Sequence, residues 1–496
     1  MISNRPRHVI SPVPLIFKIC FALVVFDAFN GLHKVEYSQY PHKLSFLFPG
    51  VYLNKDKTFH IVSLGCAKNT VDADSMAQLL IEAGYELVEN SKMARVLIVN
   101  TCGFIRSAKE ESLDALGELA DGKKKGQILI AAGCLPQRDG KEIVTEVPGI
   151  DAILGTRRWM DIVTLVESLR GKNRPETRYI LSEEAAVGTD ERGIPRVSVQ
   201  GASAYIKIAD GCSRTCAFCA IPLIKGPHIS RPMDSVLAEA VLLQRQGVHE
   251  IVLVAQNTTD YGHDLGIKNG LAQLLVKMTA AAPEVDWIRI MYAYPGYVTD
   301  ELVEVMATHK QIVPYLDLPL QHAHPEVLRR MDRPMNIDWV YKTLARMRKT
   351  IPGLALRSTF IVGYPGETEA EFKALLDFIE EMRFDKLGAF KFSLEAGTAA
   401  EALGDTVPEE VKQERLDRLM EKQQAISLSS NEVFVGRDLK VLIEGAGEGI
   451  SIGRSYRDAP QVDGLVIVDG EIAAGEIVMV RINEATVYDL KGEVLS

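Results

Sequence analysis

The chain has 496 residues, 47% hydrophobic and 25% charged, with a formal net charge of −10. That length supports several domains, each with its own core, and the composition excludes a disordered, collagenous or small disulfide-held protein. The acidic balance means that any basic face for nucleic acid must be offset elsewhere in the chain, and no repeat at solenoid periods is present.

Residues 1–57 stand apart. The run LIFKICFALVVFDAF, Leu15 to Phe29, follows Arg5 and Arg7 and is similar to a signal peptide or a short anchor. Lys18 and Asp27 interrupt it, a membrane span needs about 20 clean apolar residues, and no convincing small-x-small cleavage site follows. We read 1–57 as an irregular leader outside the fold, such as upstream sequence included by a wrongly assigned start. The seven cysteines lie at 20, 66, 102, 134, 212, 216 and 219. A chain this large does not need disulfides, and thiols kept as metal ligands suit a reducing cytoplasm. The odd count resolves if Cys20 is a bystander and the other six form two sets of three.

From Thr58 the pattern is regular, and residues 58–170 are expected to form an α/β domain. FHIVSLGC is an apolar run ending at Cys66, and an amphipathic helical pattern follows it. ARVLIVNTC ends at Cys102 before a helix around Ser107 to Leu119, and QILIAAGC ends at Cys134 before another helical segment. Buried strands alternating with helices predict a parallel sheet, in which ligands sit outside the carboxyl ends of the strands. Cys66, Cys102 and Cys134 then share one edge. They could be three small buried hydrophobes, but the repeated position, with Gly65, Gly103 and Gly133 beside them to let backbone approach a bulky ligand, points to a three-thiolate metal site.

A polar connector, 171–197, leads to a second domain, 198–430. Six apolar runs (AYIKIAD, EIVLVA, WIRIMY, YLDL, STFIV and LGAFKFS) alternate with helical patterns. Six βα units fall short of the eight that close a TIM barrel, which predicts a partial barrel with an open side. After the first strand comes GCSRTCAFCAIP, with Cys212, Cys216 and Cys219 in eight residues. A closed structural zinc site takes four ligands, and no partner pair lies nearby; His228 is the closest histidine. Three thiolates instead hold three corners of a 4Fe–4S cube and leave one iron open to a substrate. Elsewhere, VGYPGET (Val362 to Thr368) reads as a Pro-Gly turn with Thr368 capping the next helix. His322 and His324 read as polar groups at the mouth, and Gln256 and Asp260 as residues that face substrate or cap a segment.

Residues 431–496 carry short alternating strands with glycine turns, which predict a small five-stranded barrel of the OB type. This tail holds 6 Lys+Arg and 12 Asp+Glu, so it repels a phosphate backbone and complements a basic protein.

CSRTCAFC resembles the cluster loop of radical S-adenosylmethionine enzymes, and the whole layout from about Thr58 onward resembles the methylthiotransferases. That resemblance implies an α/β multidomain chain: a parallel α/β domain, a six-unit partial TIM barrel, and a C-terminal OB-like barrel, the TRAM domain. It implies two 4Fe–4S clusters and S-adenosyl-L-methionine. Cys212, Cys216 and Cys219 would hold the cluster that cleaves this cofactor, and Cys66, Cys102 and Cys134 an auxiliary cluster that carries sulfur. Phe218, Gly363 and Glu367 are expected to contact the cofactor, and no catalytic residue is expected beyond the ligands. The chemistry would replace a hydrogen on an unactivated carbon by a methylthio group. A second cofactor molecule would give the methyl, and a one-electron donor such as flavodoxin or ferredoxin the electron.

The acidic tail and the runs AQNTTDYG, MYAYPG, LDLPLQHAHPEVLRRM, GRSYRDAPQVDG and SRPM resemble the branch that acts on an aspartate of ribosomal protein S twelve, free or on the small subunit. Asn257 departs from that branch, where an acidic residue is common. The alternatives are the relative that modifies adenosine in tRNA, which a basic tail would favour, and a metal-stapled RNA-binding module, which would show closed four-ligand sites. The expected protein is cytoplasmic, with neither a membrane span nor stable DNA binding.

Overall fold

A computed structural model of the chain describes residues 34–35, 56–170, 177–181 and 194–495. The run Leu15 to Phe29 and nearly all of the leader lie outside the described residues. Backbone at Lys34–Val35 pairs antiparallel with the strand Thr58–Leu64, so the leader is not wholly separate from the fold.

The strands Thr58–Leu64, Val96–Thr101, Ile128–Gly133 and Ala152–Gly155 run parallel in that order. Side chains alternate faces along a strand, and here both faces are buried. Ile61, Ile98 and Ile130 pack on one side against Leu80 and Trp159, while Val62, Val99 and Leu129 pack on the other with Leu116 and Ile143. The helices Ala67–Glu82, Arg106–Asp121 and Cys134–Glu146 return the chain between strands. The register pairs Ser63 with Asn100 and Thr101 with Gly133, which brings Cys66, Cys102 and Cys134 to one edge. The expected connector 171–197 is not all linker: Arg178–Ile180 adds a parallel strand to this sheet, and Val197–Gln200 begins the next.

The second sheet has seven strands. Ser203–Lys207, Glu250–Val254, Trp287–Ile290, Ile312–Asp317, Ala355–Val362 and Lys386–Lys391 are its parallel staves, as the six apolar runs predict. Val197–Gln200 is an antiparallel addition at one edge. It was not expected, because its four residues are too short for a pattern. The helix Glu409–Glu432 packs near the opposite edge, at Lys386–Lys391. Helices cover the outside of the sheet. On the inner face Tyr205, Val252, Trp287 and Tyr315 pack with Val71 of the first domain and with Leu442 and Ala459 of the third. The partial barrel is therefore filled by its neighbours.

The third domain is a closed five-stranded barrel, with Asp438–Gly447, Ile450–Ser455, Val466–Asp469, Leu490–Val494 and Ile477–Ala485 in spatial order. Charges dock it. Glu250, fully buried, accepts from Arg289 Nε at 2.7 Å and from Arg454 Nη2 at 2.6 Å. Lys386 pairs with Asp458 at 2.6 Å, and the Tyr315 hydroxyl donates to Asp463 at 2.7 Å.

Candidate active site

The first set of thiols is assembled by Asn69. Its Nδ2 donates to Leu64 O and Thr101 O, both at 3.0 Å, tying two strand ends together. Its Oδ1 accepts from the Cys134 thiol at 3.4 Å. The Ser112 hydroxyl holds both backbone groups of Cys102, at 3.0 Å to N and 2.8 Å to O. Cys102 and Cys134 are buried and Cys66 half-buried. Each of the buried pair feels the charge of Cys66, and Cys102 also that of Cys134. Burial pushes the Cys134 thiol up to about 11 against the pull of Lys225, and pushes Cys102 higher still.

The neighbouring glycines serve convergence of the loops. At Gly65, with φ +90°, a side chain would strike Cys102 Cβ, and at Gly133, with φ +103°, it would strike Asn100 and the Thr101 backbone. Both φ values fall where only glycine is comfortable.

The second set lies at the carboxyl end of the strand Ser203–Lys207, the barrel's mouth. Its loop is pinned by Cys212 N to Gly226 O (3.0 Å), Cys219 N to Cys216 O (3.0 Å) and Ala217 N to Met331 O (2.8 Å). Arg333 Nη1 donates to the Cys216 sulfur at 3.6 Å, with the Tyr294 hydroxyl 3.8 Å away. The Arg333 guanidinium lies over the Tyr294 ring, 4.4 Å from its centroid. Arg214, inside the loop, is gripped by both oxygens of Asp260 and stacks on Tyr297 at 4.0 Å. Asp260 therefore anchors the cluster loop. Burial pushes the Cys219 thiol up to about 12.

The two sets touch. Cys134 packs with Ala220 and Ile224, just past Cys219, and Arg157 Nε donates to Ile224 O at 2.9 Å. Below them lies a buried ionic knot. Asp72, on the helix that begins after Cys66, accepts from Lys207 Nζ at 2.7 Å, from Lys225 Nζ at 2.9 Å, and from Arg196. Lys207 also pairs with Asp210 at 2.7 Å, and Lys225 with the Thr156 hydroxyl at 2.6 Å. Burial alone would raise the Asp72 carboxyl, but Lys207, Lys225 and Arg196 hold it far below the usual carboxylate range. Three cations face two carboxylates, and the surplus charge lies within reach of Cys134.

Among the described residues no three His, Cys, Asp or Glu groups come close enough to grip one ion. A cube asks instead for one thiolate at each of three separate irons. The donor sets, all sulfur with cations beside them, fit such a group. At the mouth, Gln256 Oε1 and Asn257 Nδ2 are buried without hydrogen-bond partners, and a bound ligand would complete them.

The other predicted positions fall out differently. Phe218 is half-buried in a small apolar cluster with Ala217, Met331, Tyr364 and Phe392. Thr368 caps its helix in a full capping box. Glu367 is spent on protein: Oε1 accepts from Arg415 at 2.8 Å, and Oε2 accepts from Gly363 N at 3.1 Å beside His322 Nε2 at 3.5 Å. The space over Gly363, at φ +70°, is filled by the Lys412 side chain. Gly363 and Glu367 thus lock the strand end to the trailing helix. His322 is buried, not lining the mouth, and His324 caps the helix Pro325–Arg330. Lys68, Asp72, Lys207, Lys225, Arg214, Tyr292, Tyr294 and Arg333 were not foreseen. The two signals were charge inside an apolar strand, as in AYIKIAD, and tyrosines in MYAYPG.

Comparison with known proteins agrees with this geometry. Residues 58–155 match Uncharacterized protein family UPF0004, residues 206–379 the Radical SAM superfamily and residues 435–495 the TRAM domain. Two relatives are described as ribosomal protein uS12 methylthiotransferase RimO. The one from Roseiflexus sp. (strain RS-1) is 46% identical over 88% of this chain and 97% of its own length. The one from Chloroflexus aurantiacus is 48% identical over 88% of this chain and all of its own length, given as 100%. Among solved structures, the radical S-adenosylmethionine methyltransferase TsrM from Kitasatospora setae has a TM-score of 0.51 at 13% identity, covering 80% of this chain and 77% of its own, a likeness of fold alone.

Proposed function

Because the chain belongs to the ribosomal protein uS12 methylthiotransferase family of radical S-adenosylmethionine enzymes, we propose that it replaces a hydrogen on the β-carbon of an aspartate of uS12 by a methylthio group. When bound, a 4Fe–4S cluster and S-adenosylmethionine supply a radical able to take hydrogen from an unactivated carbon. Cys212, Cys216 and Cys219 hold that cluster, and Phe218, in the same loop, offers its ring to the cofactor. Arg333 and Tyr294 stand at the Cys216 sulfur, where hydrogen bonds and positive charge set the reduction potential. Asp260 fixes Arg214 and with it the loop. Cys66, Cys102 and Cys134 hold the auxiliary, sulfur-carrying cluster.

The contact between the loops that carry the two thiol sets supports this reading. Asp72, on the helix leaving one set, binds the strand leading into the other, so both chemistries are presented side by side at one mouth. For the substrate, the support is charge. Arg454 and Arg457 of the third domain are buried, with Asp458 and Asp463, against the barrel. With Glu444 also spent on Arg454, four of its 6 basic residues and nine of its 12 acidic ones lie outside that contact, and the acidic surplus suits a basic ribosomal protein rather than tRNA.

The test offers reconstituted protein, S-adenosylmethionine, sulfide and reductant to uS12 and bulk tRNA together, without oxygen, and locates the product by mass spectrometry. Methylthio on an aspartate of uS12 supports the reading. Methylthio on adenosine would keep the chemistry and replace the substrate.

A further inference from the structure

Lys68 occupies the first turn of the helix Ala67–Glu82, two residues past Cys66, and is 8% exposed. A cation is badly placed there. The start of a helix carries the positive end of the peptide dipoles, and a buried ammonium needs an anion. Among the described residues no carboxylate pairs with it. What Nζ meets is the ring of Tyr292, 3.2 Å from the centroid, with the Cys66 thiol and the Asp317 carboxylate near enough to act on its charge. Asp317, on the adjoining strand, is taken: Oδ1 accepts from Arg357 at 2.8 Å and Oδ2 from Tyr292 N at 3.1 Å.

Tyr292 is itself unusual. It follows the strand Trp287–Ile290 at the barrel's mouth with φ +61°, a conformation that costs a bulky side chain and persists where a ligand clamp needs it. Lys68 and Asn69 divide the work of one helical turn. Asn69 serves the thiol side, through Cys134 and the strand ends, and Lys68 serves the barrel side. The ammonium is thus held on an aromatic platform between the first thiol set and the mouth.

We propose that Lys68 grips the side-chain carboxylate of the aspartate to be modified, selecting an acidic residue and setting its β-carbon beside the Cys66 loop. This rests on the reading that the substrate is an aspartate. The carboxylate is one bond from the β-carbon, so a charge-assisted hydrogen bond to it fixes the reacting carbon within narrow limits. An asparagine or a nucleobase offers no charge to Lys68 and leaves its ammonium unpaired, which is how a polar site rejects the wrong ligand.

The experiment measures binding rather than turnover. Full-length reconstituted protein, kept without reductant, is titrated with labelled uS12 and with uS12 whose modified aspartate is changed to asparagine. The wild type should bind the asparagine form about 30-fold more weakly. Lys68→Met should bring the two forms within about twofold, and Lys68→Arg should restore most of the preference. Iron content and circular dichroism check each variant, and if Lys68→Met does not fold, Lys68→Gln is read in the same way. A neutral variant that keeps the wild-type preference overturns the role of Lys68 while leaving the substrate intact. A wild type that shows no preference, together with no methylthio-aspartate in uS12, overturns the substrate reading and this role with it.

Discussion

Arg333 donates to the sulfur of Cys216 across 3.6 Å while the Tyr294 hydroxyl lies 3.8 Å from the same atom. A cation and a hydroxyl at one cysteinyl sulfur stabilise the extra electron of a reduced cluster. Arg333→Gln should therefore move the midpoint potential of that cluster to more negative values and slow S-adenosylmethionine cleavage about 10- to 100-fold. Potentiometric titration followed by electron paramagnetic resonance reads the first effect. An unchanged midpoint would leave Arg333 only a packing role.

Among the described residues Asp72 is the one carboxylate that pairs with all three of Arg196, Lys207 and Lys225. Asp72→Asn leaves buried cations without their counter-charge, and breaking such a pair costs about 3–5 kcal/mol. Urea unfolding should show that loss. The variant should also weaken spin–spin coupling between the two reduced clusters, since Asp72 joins their loops. A change of about 0.5 kcal/mol or less would contradict the account of the knot.

Docking of the third domain should fail in acid. Arg454 and Arg289 hold the Glu250 carboxyl down at about 2 although burial raises it. A carboxylate depressed on folding contributes stability above its unfolded value, about 4.3, and loses it as pH falls toward the folded value. Stability from this contact is thus complete at neutral pH and disappears between pH about 4 and about 2. Limited proteolysis across that range should release residues beyond 432 in the wild type. In Glu250→Gln, cleavage there should already be seen at pH 7.

Gly363 and Glu367 should matter for folding rather than for the cofactor. Gly363→Ala places a methyl against Lys412 at φ +70° and should cost about 1–3 kcal/mol. Glu367→Gln weakens the pair with Arg415 and should lower thermal stability in the same way. Affinity for S-adenosylmethionine, measured by calorimetry on variants that still load iron, should stay within about twofold. A tenfold loss of affinity with stability unchanged would restore their expected role.

The first domain was legible because its signals are local. Buried parallel strands read as continuous apolar runs, and three of them end one or two residues before a cysteine. The six staves of the second domain and the glycine-punctuated tail are visible for the same reason. What could not be read is long-range. Asp72 meets Lys207 and Lys225 from 135 and 153 residues away, and no periodicity announces such partners. The pairing of Glu367 was not visible because Arg415, 48 residues on, lies on a helix whose charged pattern looks like an ordinary solvated face. Lys68 is next to a cysteine already singled out, yet its meaning depends on Tyr292, which reaches it only once two domains are packed.

The central claim is that two neighbouring three-thiol sites have different tasks, and paired cysteine variants test it most directly. Cys212→Ala and Cys102→Ala are reconstituted without oxygen, and iron, cleaved S-adenosylmethionine and modified uS12 are measured on each. Each variant should hold about four irons fewer than the wild type. Cys212→Ala should cleave no cofactor. Cys102→Ala should still cleave it but transfer no methylthio group. Full methylthiolation by Cys102→Ala, or cofactor cleavage by Cys212→Ala, would contradict the assignment of the two sites.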